Sequence, residues 1–322
     1  CMSKSTKILA VSFSAACIIV IVTKPETYIA SAFTGIKLWA TTVVPSLLPF
    51  FFFTALLTAT GITEKISEVA EKPCGVLFRS GGVSAYAFLM SVLSGYPVGA
   101  KIIGDLGENN LITPDEATRL STFCSTSGPL FIIGSVGLSM FGNKYCGYLL
   151  FLSHVLSAFL TGVIFRFYGE KSSGGKKVLS RKTQSNVLYD CVYGSVISIA
   201  VVGGFICVFY VAADAITNLR LLYPLGYLLN LIVKNKAVSS AYISGLIECT
   251  RGCKLLSLCG LSTYSLAFAC SLISFGGVSV LFQSICFLKK AKVKTSVFIA
   301  AKITQSVISF GLCLLLYPLF VG

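Results

Sequence analysis

Apolar residues fall into nine blocks, at positions 5–22, 34–60, 83–95, 114–140, 145–167, 187–215, 237–257, 262–288 and 295–317. A helix needs about 20 apolar residues to cross a bilayer. Several blocks reach that length and predict spans. Others are irregular. Block 83–95 is too short to cross and runs into Gly95-Tyr96-Pro97, where Pro97 interrupts the helix ladder. Block 237–257 carries Glu248 and Arg251 near its centre, 114–140 is interrupted by Ser127-Gly128-Pro129, and 262–288 by Gly276-Gly277.

The interruptions recur. Ser94-Gly95 and Ser244-Gly245 lie 150 residues apart, Gly128 and Gly276 lie 148 apart, and so do His154 and Lys302. A near-constant offset predicts two copies of one unit. The first, 34–168, would hold an interfacial helix over 62–80, a re-entrant hairpin at about 82–110, a broken span at 114–140 and a span at 145–167. The second, 187–322, would hold a hairpin at about 237–258, a broken span at 262–288 and a span at 295–317. An N-terminal transmembrane helix and linker (1–33) precedes them, and a basic linker (169–186) joins them. Ala30-Ser31-Ala32 mimics a signal-peptidase site but lies far beyond the first apolar run, so an uncleaved first span is expected. Thr113, Pro114 and Glu116 read as a capping box that starts a helix.

Charge sets the orientation. Lys171, Lys176, Lys177, Arg181 and Lys182 fall in the linker, and Lys289, Lys290, Lys292 and Lys294 in the loop 289–294. Both segments and the N-terminus are expected on the cytoplasmic side. The two units then face opposite ways, which is the inverted repeat common in transporters.

Composition agrees. Charged residues make up 12% of the 322, hydrophobic residues 55%, and mean hydropathy is +0.85. A soluble domain carries about 25% charged residues, so a cytosolic enzyme, a nucleic-acid module and a disordered chain are excluded. The net charge of +14 is that of basic loops holding spans in place, with no nucleic-acid partner implied. Thirteen Cys occur without a Cys-x-x-Cys, and the single His leaves a zinc site short of ligands. With neither Gly-x-Ser-x-Gly nor a Walker A motif present, no enzyme, cofactor or metal is expected.

Broken helices are tolerated at membrane depth only where protein or water meets the freed backbone. The breaks at Gly95–Gly99, Ser125–Pro129, Gly245–Gly252 and Gly276-Gly277 are therefore expected to converge on one site. Intramembrane ionisable groups default to function, and here they are mostly cationic: Lys101, Arg251, Lys302 and His154, with Glu248. Ser125, Ser127, Ser244, Gln283 and Gln305 add neutral hydrogen-bonding groups. Such a cavity suits a small organic anion, carried by secondary or facilitated transport. A proton or sodium coupling ion and a homo-oligomer are both compatible with this plan.

The runs Ser94-Gly95-Tyr96-Pro97-Val98-Gly99-Ala100-Lys101, Leu111-Ile112-Thr113 with Glu116-Ala117, and Ser127-Gly128-Pro129-Leu130-Phe131-Ile132 resemble the sporulation integral membrane proteins of the YlbJ type. Val44-Pro45-Ser46-Leu47-Leu48-Pro49-Phe50 and Gly245-Leu246-Ile247-Glu248-Cys249-Thr250-Arg251-Gly252 fit as well, so the resemblance spans about residues 34–317. Ser125 stands where the family pattern leads to Asn. The resemblance implies a nucleoside-recognition (Gate) domain. It implies an all-α fold similar to concentrative nucleoside transporters, and a role in endospore formation in the cytoplasmic membrane or the membrane around the forespore. It also implies dipicolinate as cargo, with Gly95, Tyr96, Pro97, Gly99 and Lys101 lining one hairpin tip and Glu248, Thr250, Arg251 and Gly252 the other. A non-transporting scaffold of cortex assembly and a nucleoside carrier are the alternatives.

Overall fold

The computed structural model describes residues 15, 18–19, 21–170, 186–219 and 221–321, and every regular element among them is helical. Most of the expected first span and the basic stretch 171–182 lie outside the described residues. Four helical stretches are long and apolar enough to cross a membrane: Lys144–Phe167, Val187–Asn218, Thr263–Ala291 and Thr295–Phe320. The chain is an integral membrane protein by this composition, and Leu188, Val192, Val196 and Val208 stand exposed along the second stretch as a lipid-facing surface would.

The helices run α1 (Pro25–Leu38), α2 (Val44–Ala59), α3 (Ile62–Leu77), α4 (Val83–Ser94), α5 (Val98–Glu108), α6 (Pro114–Ser121), α7 (Leu130–Met140) and α8 (Lys144–Ile164). They continue as α9 (Val187–Asn218), α10 (Tyr223–Val233), α11 (Lys236–Ile247), α12 (Cys249–Leu258), α13 (Thr263–Phe275), α14 (Gly277–Leu288) and α15 (Thr295–Phe320). A widened π turn, Trp39–Val43, links α1 to α2, and α7 is π-wound throughout.

Sequence pattern and structure part company at the start. Residues 23–33 read as a linker, yet Pro25 at the first helical position and Glu26 in the first turn open a helix there. Tertiary contact holds it: Trp39 Nε1 donates to Ile199 O at 2.9 Å, and Gly35 lies against Cys207 and Tyr210 of α9. The expected single span over 34–60 is thus the end of α1, a π turn and α2.

Two apolar cores organise the rest. One gathers α11, α12 and α13 with Ile132 and Val136 of α7, Leu149 and Leu150 of α8, and Cys313 of α15. The other gathers α4 and α5 with Leu120 and Phe123, Leu281 and Leu288 of α14, and Phe298 of α15. The chain crosses between them four times: through α6–α7, through α8, through α13–α14 and through α15. On each crossing a polar residue lies between the two cores, namely Ser125–Gly128, His154, Ser274–Gly276 and Lys302.

One end of the molecule is stitched by polar contacts. Lys290 Nζ lies 2.9 Å from Glu108 Oε2 and 3.9 Å from Asp105. Lys294 N–H donates to Thr118 Oγ1, Gly81 N–H to Glu116 Oε1, and Gly82 N–H to Glu71 Oε2. Arg119, 1% exposed, donates to the Tyr168 and Glu170 carbonyls. The start of the linker, the loop 289–294, α3 and the mouth of α4–α5 therefore share one end.

Candidate functional site

The α4–α5 turn is built from Gly95 upward. Its N–H returns to Ser91 O at 2.8 Å, and its φ of +81° is open to glycine at little cost. A Cβ there would lie 2.6 Å from Gly128 N, so the first two breaks touch backbone to backbone. Gly277, at φ +75°, closes the circle on the other side: a Cβ on it would meet Cys249 N and Ile247 O at 3.1 Å. Gly276 lies against the Tyr96 ring. All four interruptions converge.

Between them sits Lys302, 1% exposed. Its Nζ donates to Tyr96 Oη at 2.7 Å, Ser125 O at 2.9 Å and Gln305 Oε1 at 2.8 Å. Tyr96 in turn lies 3.2 and 3.3 Å from the Ile273 and Ser274 carbonyls, to which its hydroxyl donates. His154 is fully buried. Its Nε2 accepts from Ser127 N–H at 2.9 Å, which leaves the proton on Nδ1 to face Ser274 Oγ at 2.8 Å. The imidazole therefore bridges the break before α7 to the break after α13. Buried and without a partner beside these groups are Ser125 Oγ and Gln305 Nε2.

The second hairpin is organised differently. Gly245 and Gly252, read as part of its break, lie inside α11 and α12, where their backbones pack against each other. The chain turns at one extended residue, Glu248, whose carboxylate caps α12 by accepting from Thr250 N–H at 3.2 Å and Arg251 N–H at 2.7 Å. The Arg251 guanidinium reaches across to Asp214 of α9, which also accepts from Ser31 of α1. The i,i+3 Glu248–Arg251 pair that spacing allows is thus replaced by a cap and a long-range ion pair.

The expected site residues divide accordingly. Gly95, Tyr96, Ser125, Ser127, Gly128, His154, Gly276, Gly277, Lys302 and Gln305 come together at the centre. Pro97 precedes α5, and Gly99 packs on the Cys124 carbonyl beneath it. Ser244, Gly245, Glu248, Thr250, Arg251 and Gly252 form the second tip, with Ser244 Oγ unpartnered. Lys101 departs from the expectation: its ammonium turns outward to Asp105 at 3.2 Å, the partner four residues on. Gln283 bonds Ser279 on its own helix. Missing from the sequence reading are Ser274, Ser31 and Asp214. Asp214 had a signal, an acid inside an apolar block.

Among known proteins the chain is similar to the "Sporulation integral membrane protein YlbJ" of Bacillus subtilis (strain 168), at 30% identity over 346 aligned residues covering 99% of this chain and 85% of that one. No protein-family model matches it, and no solved structure does.

Proposed function

Because the chain belongs to the YlbJ family of sporulation integral membrane proteins, we propose that it is a secondary transporter or facilitator of a small organic anion, with dipicolinate the cargo during endospore formation. The observation that carries this reading is Lys302: a buried lysine Nζ bonded to neutral oxygens, with no carboxylate among the partners found for it. Around it α5, α7 and α14 begin without side-chain caps, so their positive ends add to its field. A nearby anion answers that charge. A cation would be repelled.

The architecture of such a carrier is an inverted repeat with two re-entrant hairpins. Corresponding segments support it. Helices α6–α7 and α13–α14 pass between the two cores in opposite senses, as do α8 and α15, while α4–α5 stays within one core and α11–α12 within the other.

Purified protein in proteoliposomes, given radiolabelled dipicolinate or uridine, tests the proposal. Dipicolinate accumulation above empty vesicles, lost in Lys302→Met, is expected. Uridine uptake instead makes the protein a nucleoside carrier. Uptake of neither leaves the scaffold of cortex assembly as the better reading.

A further inference from the structure

The Lys302 Nζ is ringed by oxygens of the kind that line alkali-metal sites. Three oxygens at 2.7–2.9 Å, from a hydroxyl, a backbone carbonyl and a side-chain amide, surround one Nζ. These are hard neutral ligands of the kind that replace the water shell of a monovalent cation. The hydrogen-bond partners suit an ammonium in the cage. Ser125 O and Gln305 Oε1 only accept, and the Tyr96 hydroxyl spends its single proton on the Ile273 or Ser274 carbonyl. With the Tyr96 proton on a carbonyl, all three bonds come from Nζ as a charged ammonium. A fourth oxygen, Ser125 Oγ, is buried in the same residue with its bonding capacity unused. Hydrophobic packing explains none of this, since Lys302 could be a Leu if it merely filled space between α15 and the breaks.

We propose that Lys302 is a tethered cation: its ammonium permanently fills a monovalent-cation site formed by Tyr96, Ser125 and Gln305, and substitutes for a sodium ion in joining the first two helix breaks to α15. The site is one that no coupling ion enters in this chain, and it becomes one when the side chain is cut back. The statement about coupling rests on the transport reading above; the statement about the cage does not.

Two measurements on the full chain separate these. The first is thermal unfolding in detergent, in choline, sodium, potassium or methylammonium chloride at equal ionic strength. Wild type is expected to unfold at the same temperature in all four. Lys302→Ala is expected to drop by about 5 °C in choline and to recover, saturably, in at least one of the small cations. Lys302→Met keeps the stem and fills the space, and is expected to stay low in every salt. A Lys302→Met protein as stable as wild type, or a Lys302→Ala protein indifferent to the cation, overturns the proposal. Should Lys302→Ala fold only when purified in small-cation salt, that supports the cage; misfolding in every salt while Lys302→Met folds normally overturns it.

The second measurement is dipicolinate uptake by wild type with sodium, potassium or choline on both sides. Initial rates within about twofold of each other are expected. Accumulation driven by a sodium gradient overturns the substitution of lysine for sodium. Absence of any uptake removes the transport reading, and the unfolding series then decides the cage by itself.

Discussion

The α4–α5 and α11–α12 turns are secured by different chemistry. The α4–α5 tip is held by backbone contact and one buried lysine: glycine on glycine at Gly95 and Gly128, and a tyrosine hydroxyl between Lys302 and two carbonyls. The α11–α12 tip is held by charge: Glu248 caps α12, and Arg251 pairs with Asp214 on α9. Lys302 is 1% exposed, whereas the Arg251 and Asp214 side chains are 27% and 26% exposed. A cation that cannot reach water needs every proton matched, and Lys302 has that. A half-buried ion pair is not held to that requirement, so the second tip should be the easier of the two to loosen.

Backbone contact should break this contrast first. Gly95→Ala places a Cβ 2.6 Å from Gly128 N at a φ of +81°, with backbone on both sides. A loss of about 3 kcal/mol or more is expected, read as failure to accumulate folded protein in membranes. Gly252→Ala, whose Cβ would fall 2.3 Å from Gly245 Cα, lacks the φ penalty and should cost about 2 kcal/mol, read as a lowered unfolding temperature.

The charged latch comes next. Arg251→Ala strands Asp214 and should cost about 1 kcal/mol, discounted for partial exposure. Asp214→Asn should cost about the same, and a double-mutant cycle should show the two losses overlapping. Independent losses would mean that the pair does not hold the tip.

The smallest effect belongs to the polar end. Lys290→Ala should cost no more than about 0.5 kcal/mol and less at high salt. An unfolding series on wild type and Lys290→Ala at low and at high salt checks the sign.

Much of this was legible in the chain because glycine and proline announce backbone that side chains cannot occupy. Gly95-Tyr96-Pro97, Ser127-Gly128-Pro129 and Gly276-Gly277 all mark real interruptions. The second hairpin misled because its glycines serve packing, and the turn was left to Glu248, an acid able to cap the helix it begins. Helix α1 was hidden because it is held by α9, 160 to 183 residues further along the chain. Partner choice was the least legible layer. Lys101 and Asp105 could have been paired from their spacing, but nothing local to Arg251 names Asp214, and nothing local to Lys302 names Tyr96.

The two apolar cores, with a thin polar stratum between them, form two apolar layers in series. Either layer alone denies a hydrated ion its water for part of the crossing. In the carrier proposed above, the second layer should keep the membrane closed to ions while one hairpin opens, as a canal keeps its level while one lock gate stands open.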